Sequence, residues 1–212
     1  MQVFPRLLDL VSPTRTDDSA ANMSRTERAF FAAVALLVSV ALGALWGVAA
    51  GSHDHHLALD NIGKVPVLVV GSSLVALPVA LFVFRLLARG GRASDLMLAH
   101  AVGVFAGCLV LALLSPLVAL YQFSSSFAGV PVALGSAVLS VVVAVGVVVR
   151  VLRKLAPEGS AALYAPPVAL ALVLQLAALA QIASIATPVF PTRTPMGRGV
   201  DGLVQHAEPE QR

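Results

Sequence analysis

The chain has 212 residues, of which 58% are hydrophobic and 12% are charged, and its net charge is +3. Soluble domains carry about 25% charged residues, so this composition excludes a water-soluble globular enzyme and a disordered chain, and a single cysteine excludes a disulfide scaffold. The charged residues bunch at a few places that flank apolar stretches, and a net charge of +3 spread over these flanks forms no basic patch, which argues against a nucleic-acid partner. We therefore expect a multi-pass membrane protein.

Five stretches without Asp, Glu, Lys or Arg are long enough to cross a bilayer. A helix needs about 20 apolar residues to cross about 30 Å of hydrocarbon, where a lone strand would leave its backbone polar groups unpaired. The predicted spans are 29–50, 65–84, 96–121, 127–149 and 163–186. They predict an all-α integral membrane bundle at 29–186. We expect a cytoplasmic tail at 1–28, either with a short interfacial helix or disordered, and a flexible external tail at 187–212.

The start of the first span carries a helix signal. Ser24 followed by Glu27 has the spacing of a capping box, in which each side chain accepts a hydrogen bond from the other residue's backbone N–H. The small residues at 48–50 resemble the cleavage site of a signal peptide. The alternative to a first membrane span is therefore a signal peptide, in which case a signal peptidase removes residues 1–50. Cleavage there would leave four spans in the same orientation.

The basic residues predict the orientation of the bundle. Ten lie in the N-terminal tail and in the loops after the second and fourth spans: Arg6, Arg15, Arg25, Arg28, Arg85, Arg89, Arg92, Arg150, Arg153 and Lys154. The opposite side holds four: Lys64, Arg193, Arg198 and Arg212. The positive-inside rule therefore predicts a cytoplasmic N-terminus and an external C-terminus. Five crossings agree with this, because an odd number of spans places the two termini on opposite sides of the membrane.

Polar side chains inside the spans are few. No predicted span contains a charged residue, so an ion-coupled pump would lack its buried carboxylate or ammonium group. His100 is expected to be a neutral imidazole that is hydrogen bonded to a neighbouring helix or to interfacial water, and a proton-handling role is the alternative. Gln175 and Gln181 in the fifth span are expected to form hydrogen bonds between helices.

Small residues and prolines predict how the helices pack. Pairs of small residues four positions apart recur at Gly43, Gly47, Gly103, Gly107, Ser136 and Ser140. This spacing lets helix backbones approach closely, either within one bundle or between two copies. Pro78 lies in the middle of the second span, where we expect a kink that frees a carbonyl for Ser72 or Ser73.

A histidine-rich segment lies in the first external loop. His53, Asp54, His55 and His56 supply imidazole and carboxylate groups of the kind that bind Zn²⁺ or Cu²⁺. A pH-sensitive loop and a plain polar loop are the alternatives. The chain contains no Ser-His-Asp set, paired carboxylates, HExxH or P-loop, so we expect no catalytic residue, no enzymatic activity and no resident cofactor apart from such a metal.

Three short motifs carry a resemblance to a known family. They are Lys-Val-Pro at 64–66, Ala-Leu-Pro at 76–78 and Leu-Ser-Pro at 114–116. Over residues 61–155 the chain resembles the small bacterial multi-pass membrane proteins grouped with the Yip1 family. The resemblance implies a non-enzymatic membrane scaffold with five spans, a cytoplasmic N-terminus and an external C-terminus, and it carries over no site residue.

These observations predict a scaffold or interaction subunit. Its surroundings would be the lipid bilayer, and its partner another membrane protein or a second copy of the chain. The 12 Arg against 2 Lys are typical of GC-rich coding and indicate a bacterial cytoplasmic membrane. The alternatives are a permease or channel component for an uncharged or lipidic substrate, which would use the Pro78 kink and the face of Gln175 and Gln181, and a metal or pH sensor at the external loop.

Overall fold

The computed structural model describes residues 3–12, 23–87, 92–124, 128–155, 161–185 and 189, and within these residues the secondary structure is helical, with no strand. The helices are α1 (Val3–Val11), α2 (Arg25–Ala50), α3 (His55–Pro66), α4 (Ser72–Leu87), α5 (Ala93–Ser124), α6 (Gly129–Leu155) and α7 (Ala161–Ile185). A π-helical segment at Val67–Gly71 joins α3 to α4. Five helical stretches are long and apolar enough to cross a membrane, and α3 and α4 together form the second of them. The chain thus has the helices of a multi-pass membrane protein.

The first long helix begins with the predicted capping box. The Ser24 hydroxyl accepts a hydrogen bond from the Glu27 backbone N–H at 3.2 Å, and a Glu27 carboxylate oxygen accepts one from the Ser24 N–H at 2.7 Å. These two bonds satisfy backbone donors that no helical carbonyl can reach. This local prediction is confirmed.

The second helical stretch begins earlier than the span at 65–84. Asp54 caps α3, and its carboxylate accepts hydrogen bonds from the backbone N–H groups of His56 and Leu57, at 2.9 and 3.4 Å. His55 and His56 are therefore the first residues of a helix and not part of a loop. The helical stretch continues from His55 to Leu87.

The serines after the π-helical segment do not form the hydrogen bonds expected beside Pro78. The Ser72 hydroxyl donates to the Val69 carbonyl at 3.0 Å, within the segment itself. The Ser73 hydroxyl is hydrogen bonded to the His100 ring on α5 at 2.7 Å. Neither serine serves a carbonyl freed by Pro78, so that expectation was wrong. The irregular backbone instead follows Pro66, which lacks the N–H that a regular helix would use.

Helix α5 forms the centre of the bundle. Its residues from Leu98 to Cys108 are all buried, and it packs against α2 on one side and α6 on the other. Helix α7 packs mainly against α4. The short α1 also lies on the bundle, because Leu7 is fully buried and the Phe4 and Phe105 rings meet edge to face at 6.3 Å between centroids.

Candidate ligand cavity

Two glycines of α2 face the start of the second helical stretch. A Cβ atom on Gly47 would overlap the Asn61 carbonyl oxygen and would lie 3.0 Å from the Asn61 carbonyl carbon. A Cβ atom on Gly43 would lie 3.8 Å from Pro66, an ordinary contact distance. The absence of a side chain at Gly47 therefore lets α2 and α3 approach closely at this end of the bundle.

Two glycines of α5 face α6 in the same way. A Cβ atom on Gly107 would lie 3.1 Å from the Ser140 carbonyl oxygen and 3.2 Å from Ala144 Cβ. A Cβ atom on Gly103 would overlap the Val148 side chain. The small-residue positions of α5 are thus occupied by a helix of the same chain, and the Ser140 backbone lies at this close approach.

Ser136 connects α6 to α2. The Trp46 indole N–H donates a hydrogen bond to the Ser136 hydroxyl at 2.9 Å, and that hydroxyl donates to the Ala133 carbonyl at 2.7 Å. Trp46 is 6% exposed and Ser136 is 5% exposed. The large indole ring is therefore fixed at the end of the bundle where α3 begins.

His100 lies inside the bundle and is bonded to a neighbouring helix. The ring is 2% exposed, and its Nε2 atom is 2.7 Å from the Ser73 hydroxyl. Gln175 on α7 is half-buried, whereas Gln181 is exposed. The structure brings His100 and Gln175 to the wall of one cavity and leaves Gln181 outside it.

This cavity has a volume of about 530 Å³ and lies between α5, α6 and α7, with Trp46 and the π-helical segment at its edge. The α5 stripe on its wall runs from His100 to Leu111. No Asp, Glu, Lys or Arg is among the described residues that line it; the polar side chains there are His100, Ser140 and Gln175. Small-molecule binding sites are typically cavities of this size that are mostly apolar and contain a few polar groups.

One buried pair of charges was missed in the sequence. Arg28 of α2 and Asp95 of α5 form an ion pair, and the two residues are 3% and 4% exposed. Each lies one position outside a predicted span, at 29–50 and 96–121, because those spans were ended where charge began. The expectation that the bundle carries no buried charge was therefore wrong at this end. The sequence signal for this ion pair is a basic residue and an acidic residue that each lie next to a long apolar run.

The histidine-rich segment lies on the surface. His53, Asp54, His55 and His56 are exposed, and one Asp54 carboxylate oxygen caps α3. The rings of His55 and His56 are 6.3 Å apart between centroids. In the part of the chain that the structure describes, no group of three or more His, Cys, Asp or Glu residues is arranged to hold a metal ion. A Zn²⁺ or Cu²⁺ site at this segment stays a prediction.

In this cavity two of the predicted intramembrane polar groups, His100 and Gln175, meet a space large enough for a ligand. No family model, curated protein or solved structure matches the chain. The resemblance to the Yip1 family therefore stays a prediction from three short motifs, and the cavity carries the functional inference alone.

Proposed function

We propose that the protein binds an uncharged, lipidic substrate in the cavity between α5, α6 and α7, as a component of a permease or carrier. The observation that supports this proposal is a cavity of about 530 Å³ whose wall is apolar except for His100, Ser140 and Gln175. The space is within the range of 300–1,000 Å³ typical of ligand sites.

The chemistry of the wall favours an uncharged substrate. A charged group that leaves water needs an opposite charge or several hydrogen bonds, and no carboxylate, ammonium or guanidinium group is among the described lining residues. A hydrocarbon chain, in contrast, has no polar group of its own to desolvate, and it gains contacts with the valine and leucine side chains of the wall.

We also propose an orientation and a location. The excess of basic residues in the tail and in two loops supports a cytoplasmic N-terminus and an external C-terminus. The 12 Arg against 2 Lys support a bacterial cytoplasmic membrane. Reporter fusions at the two ends test the orientation, since a phosphatase reporter should be active only at the C-terminus and a fluorescent-protein reporter only at the N-terminus. Activity of one reporter at both ends would refute it.

The scaffold role expected from the sequence depends on surfaces that could receive a second membrane protein. Gly47, Gly103 and Gly107, which were candidates for such a surface, contact helices of the same chain. The scaffold role, with another membrane protein or a second copy as partner, therefore stays a prediction, and the cavity supports substrate binding more directly.

Trp46 provides the test of binding, because it is the only tryptophan of the chain and it lines the cavity. A dibrominated long-chain alcohol, added to protein in lipid vesicles, should quench Trp46 fluorescence in a saturable way. Ala137→Phe places a ring on the cavity wall and should abolish the saturable part. Ala177→Phe makes the same change at an exposed position outside the wall and should leave the quenching intact.

Quenching that rises linearly with the probe and is equal in the two variants would refute the proposal. Transport follows as a second measurement, in which vesicles with the wild-type protein exchange the alcohol between leaflets faster than vesicles with Ala137→Phe. Binding without faster exchange would reduce the proposal to a lipid-binding subunit.

A further inference from the structure

We infer that the substrate is a lipid alcohol of the bilayer: one hydrocarbon chain that lies along α5, with its hydroxyl group at the His100 end of the cavity. This inference rests on the proposed function and adds the substrate class, its orientation and its route of entry. Three features of the cavity support it, namely its shape, the position of its polar groups and the side on which it is open.

The shape of the cavity fits an extended chain. The α5 stripe from His100 to Leu111 corresponds to about 16 Å along the helix axis at 1.5 Å per residue. This length and the volume of about 530 Å³ suit a hydrocarbon chain in an extended conformation.

Two of the three polar side chains, His100 and Gln175, lie toward one end, whereas Ser140 lies beside Gly107, nearer the other end. Ser73 of α4 is bonded to His100, and Gly71, two positions earlier, lies beside Ile182 of α7. Because α4 and α7 run in opposite directions, this register places Gln175 toward the His100 end. The other end is formed by Trp46 and Leu111. A chain with one polar group would thus meet two of the three polar side chains if that group lay at the His100 end.

A hydroxyl group suits the side chains at the polar end. Among the described residues, Ser73 is the one hydrogen-bond partner of the His100 ring, and the Gln175 amide has none. An imidazole ring donates from one nitrogen and accepts at the other, and an amide both donates and accepts. A hydroxyl group can therefore form a hydrogen bond with the His100 ring in either tautomer or with the Gln175 amide. An ester, in contrast, can only accept a hydrogen bond. A charged headgroup would meet no opposite charge on the wall.

The open side of the cavity faces outward between α6 and α7. Val138 and Val142 of α6 and Leu176 of α7 line the cavity, yet they are 64%, 62% and 49% exposed. Helix α7 packs mainly on α4 and barely contacts α6. In a membrane this gap would open toward the hydrocarbon and not toward water, so the ligand is a bilayer lipid that enters sideways.

The test compares three dibrominated probes of one chain length in the same vesicles: an alcohol, an alkane and a trimethylammonium salt. In the wild type, saturable quenching of Trp46 should occur at an about 3- to 30-fold lower mole fraction of the alcohol than of the alkane. That ratio is the value of one or two hydrogen bonds inside a membrane. The ammonium salt should give no saturable quenching.

Two variants locate the hydroxyl group. His100→Leu and Gln175→Leu should each bring the affinity for the alcohol toward that for the alkane. Gln181→Leu is the matched control, since it makes the same change on the same helix outside the cavity, and it should keep the preference for the alcohol. Gln175→Leu keeps the test valid if His100→Leu, which also removes the partner of Ser73, fails to fold.

The outcomes separate this inference from the proposed function. Equal saturable quenching by the alcohol and the alkane would refute the hydroxyl site and leave the proposed function standing. A preference for the alcohol that survives in both His100→Leu and Gln175→Leu would also refute it. No saturable quenching by the alcohol would refute the proposed function, and the inference with it.

Discussion

Replacement of Asp95 by alanine is expected to destabilise the bundle strongly. The carboxylate of Asp95 pairs with the Arg28 guanidinium, and both residues are almost fully buried between α2 and α5. Asp95→Ala leaves the guanidinium buried without its charged partner. The cost arises mainly from the loss of the Asp95 counterion, because a buried guanidinium group cannot recover its hydration.

The burial of the pair sets the size of the effect. Breaking a buried ion pair by removing one partner costs about 3–5 kcal/mol in the free energy of unfolding. Lys64 and Asp60 provide the internal comparison, because they form a pair at 3.0 Å in which the Asp60 side chain is 64% exposed. An exposed pair four residues apart on a helix contributes about 0.3–0.5 kcal/mol. Asp95→Ala should therefore cost several times as much as Asp60→Ala.

The measurement is equilibrium unfolding of the purified protein in mixed micelles, followed by helical circular dichroism as the fraction of denaturing detergent rises. Asp60→Ala serves as the matched control. The double variant Arg28→Met with Asp95→Leu removes both charges and should regain stability to within about 1 kcal/mol of the wild type, because apolar residues often replace a buried pair at little cost.

A cost below about 1 kcal/mol for Asp95→Ala would contradict this reasoning, since it would mean that water reaches Arg28. A double variant as unstable as Asp95→Ala would contradict it in another way. In that case the packing of the two side chains, and not their charges, would hold α2 against α5.

Three further predictions concern helix packing and helix ends, each measured by the same unfolding titration. Gly103→Ala should cost about 1–3 kcal/mol because its Cβ would overlap a side chain of α6, whereas Gly135→Ala, which would meet nothing within 4 Å, should gain up to about 1 kcal/mol; equal effects would refute the close approach. Ser24→Ala removes half of the capping box and should cost about 0.5–2 kcal/mol, and no loss would show that water replaces the cap. Ser136→Ala should cost about 1–2 kcal/mol and shift the emission of Trp46, whose indole N–H would lose its partner; an unchanged spectrum would argue against that bond.

Hydropathy and local motifs predicted much of the fold. Long runs of apolar residues indicate membrane helices because each residue contributes to the transfer free energy independently of its neighbours in space. The capping box of Ser24 and Glu27 is equally local, since both partners lie within one helical turn. These features could be read from the sequence because they need no knowledge of which helices touch.

The cavity and the polar pairs could not be predicted in this way. Arg28 and Asp95 are 67 positions apart, and Ser73 and His100 are 27 apart, so their pairing depends on how α2, α4 and α5 pack. His100 and Gln175 were recognised as polar groups inside spans, but nothing in the sequence showed that they share a wall. The bond of Ser73 to His100 also explains why Ser73 does not serve a carbonyl freed by Pro78, whereas the kink at Pro78 stays a prediction.

The separation of Arg28 from Asp95 along the chain has a consequence for biosynthesis. At about 5–20 residues per second, a ribosome needs roughly 3–13 s to extend the nascent chain from Arg28 to Asp95. During this interval the guanidinium cannot form its pair with Asp95. A position in the first turns of α2, close to the water boundary, lets the side chain stay hydrated until the third transmembrane stretch arrives and completes the pair.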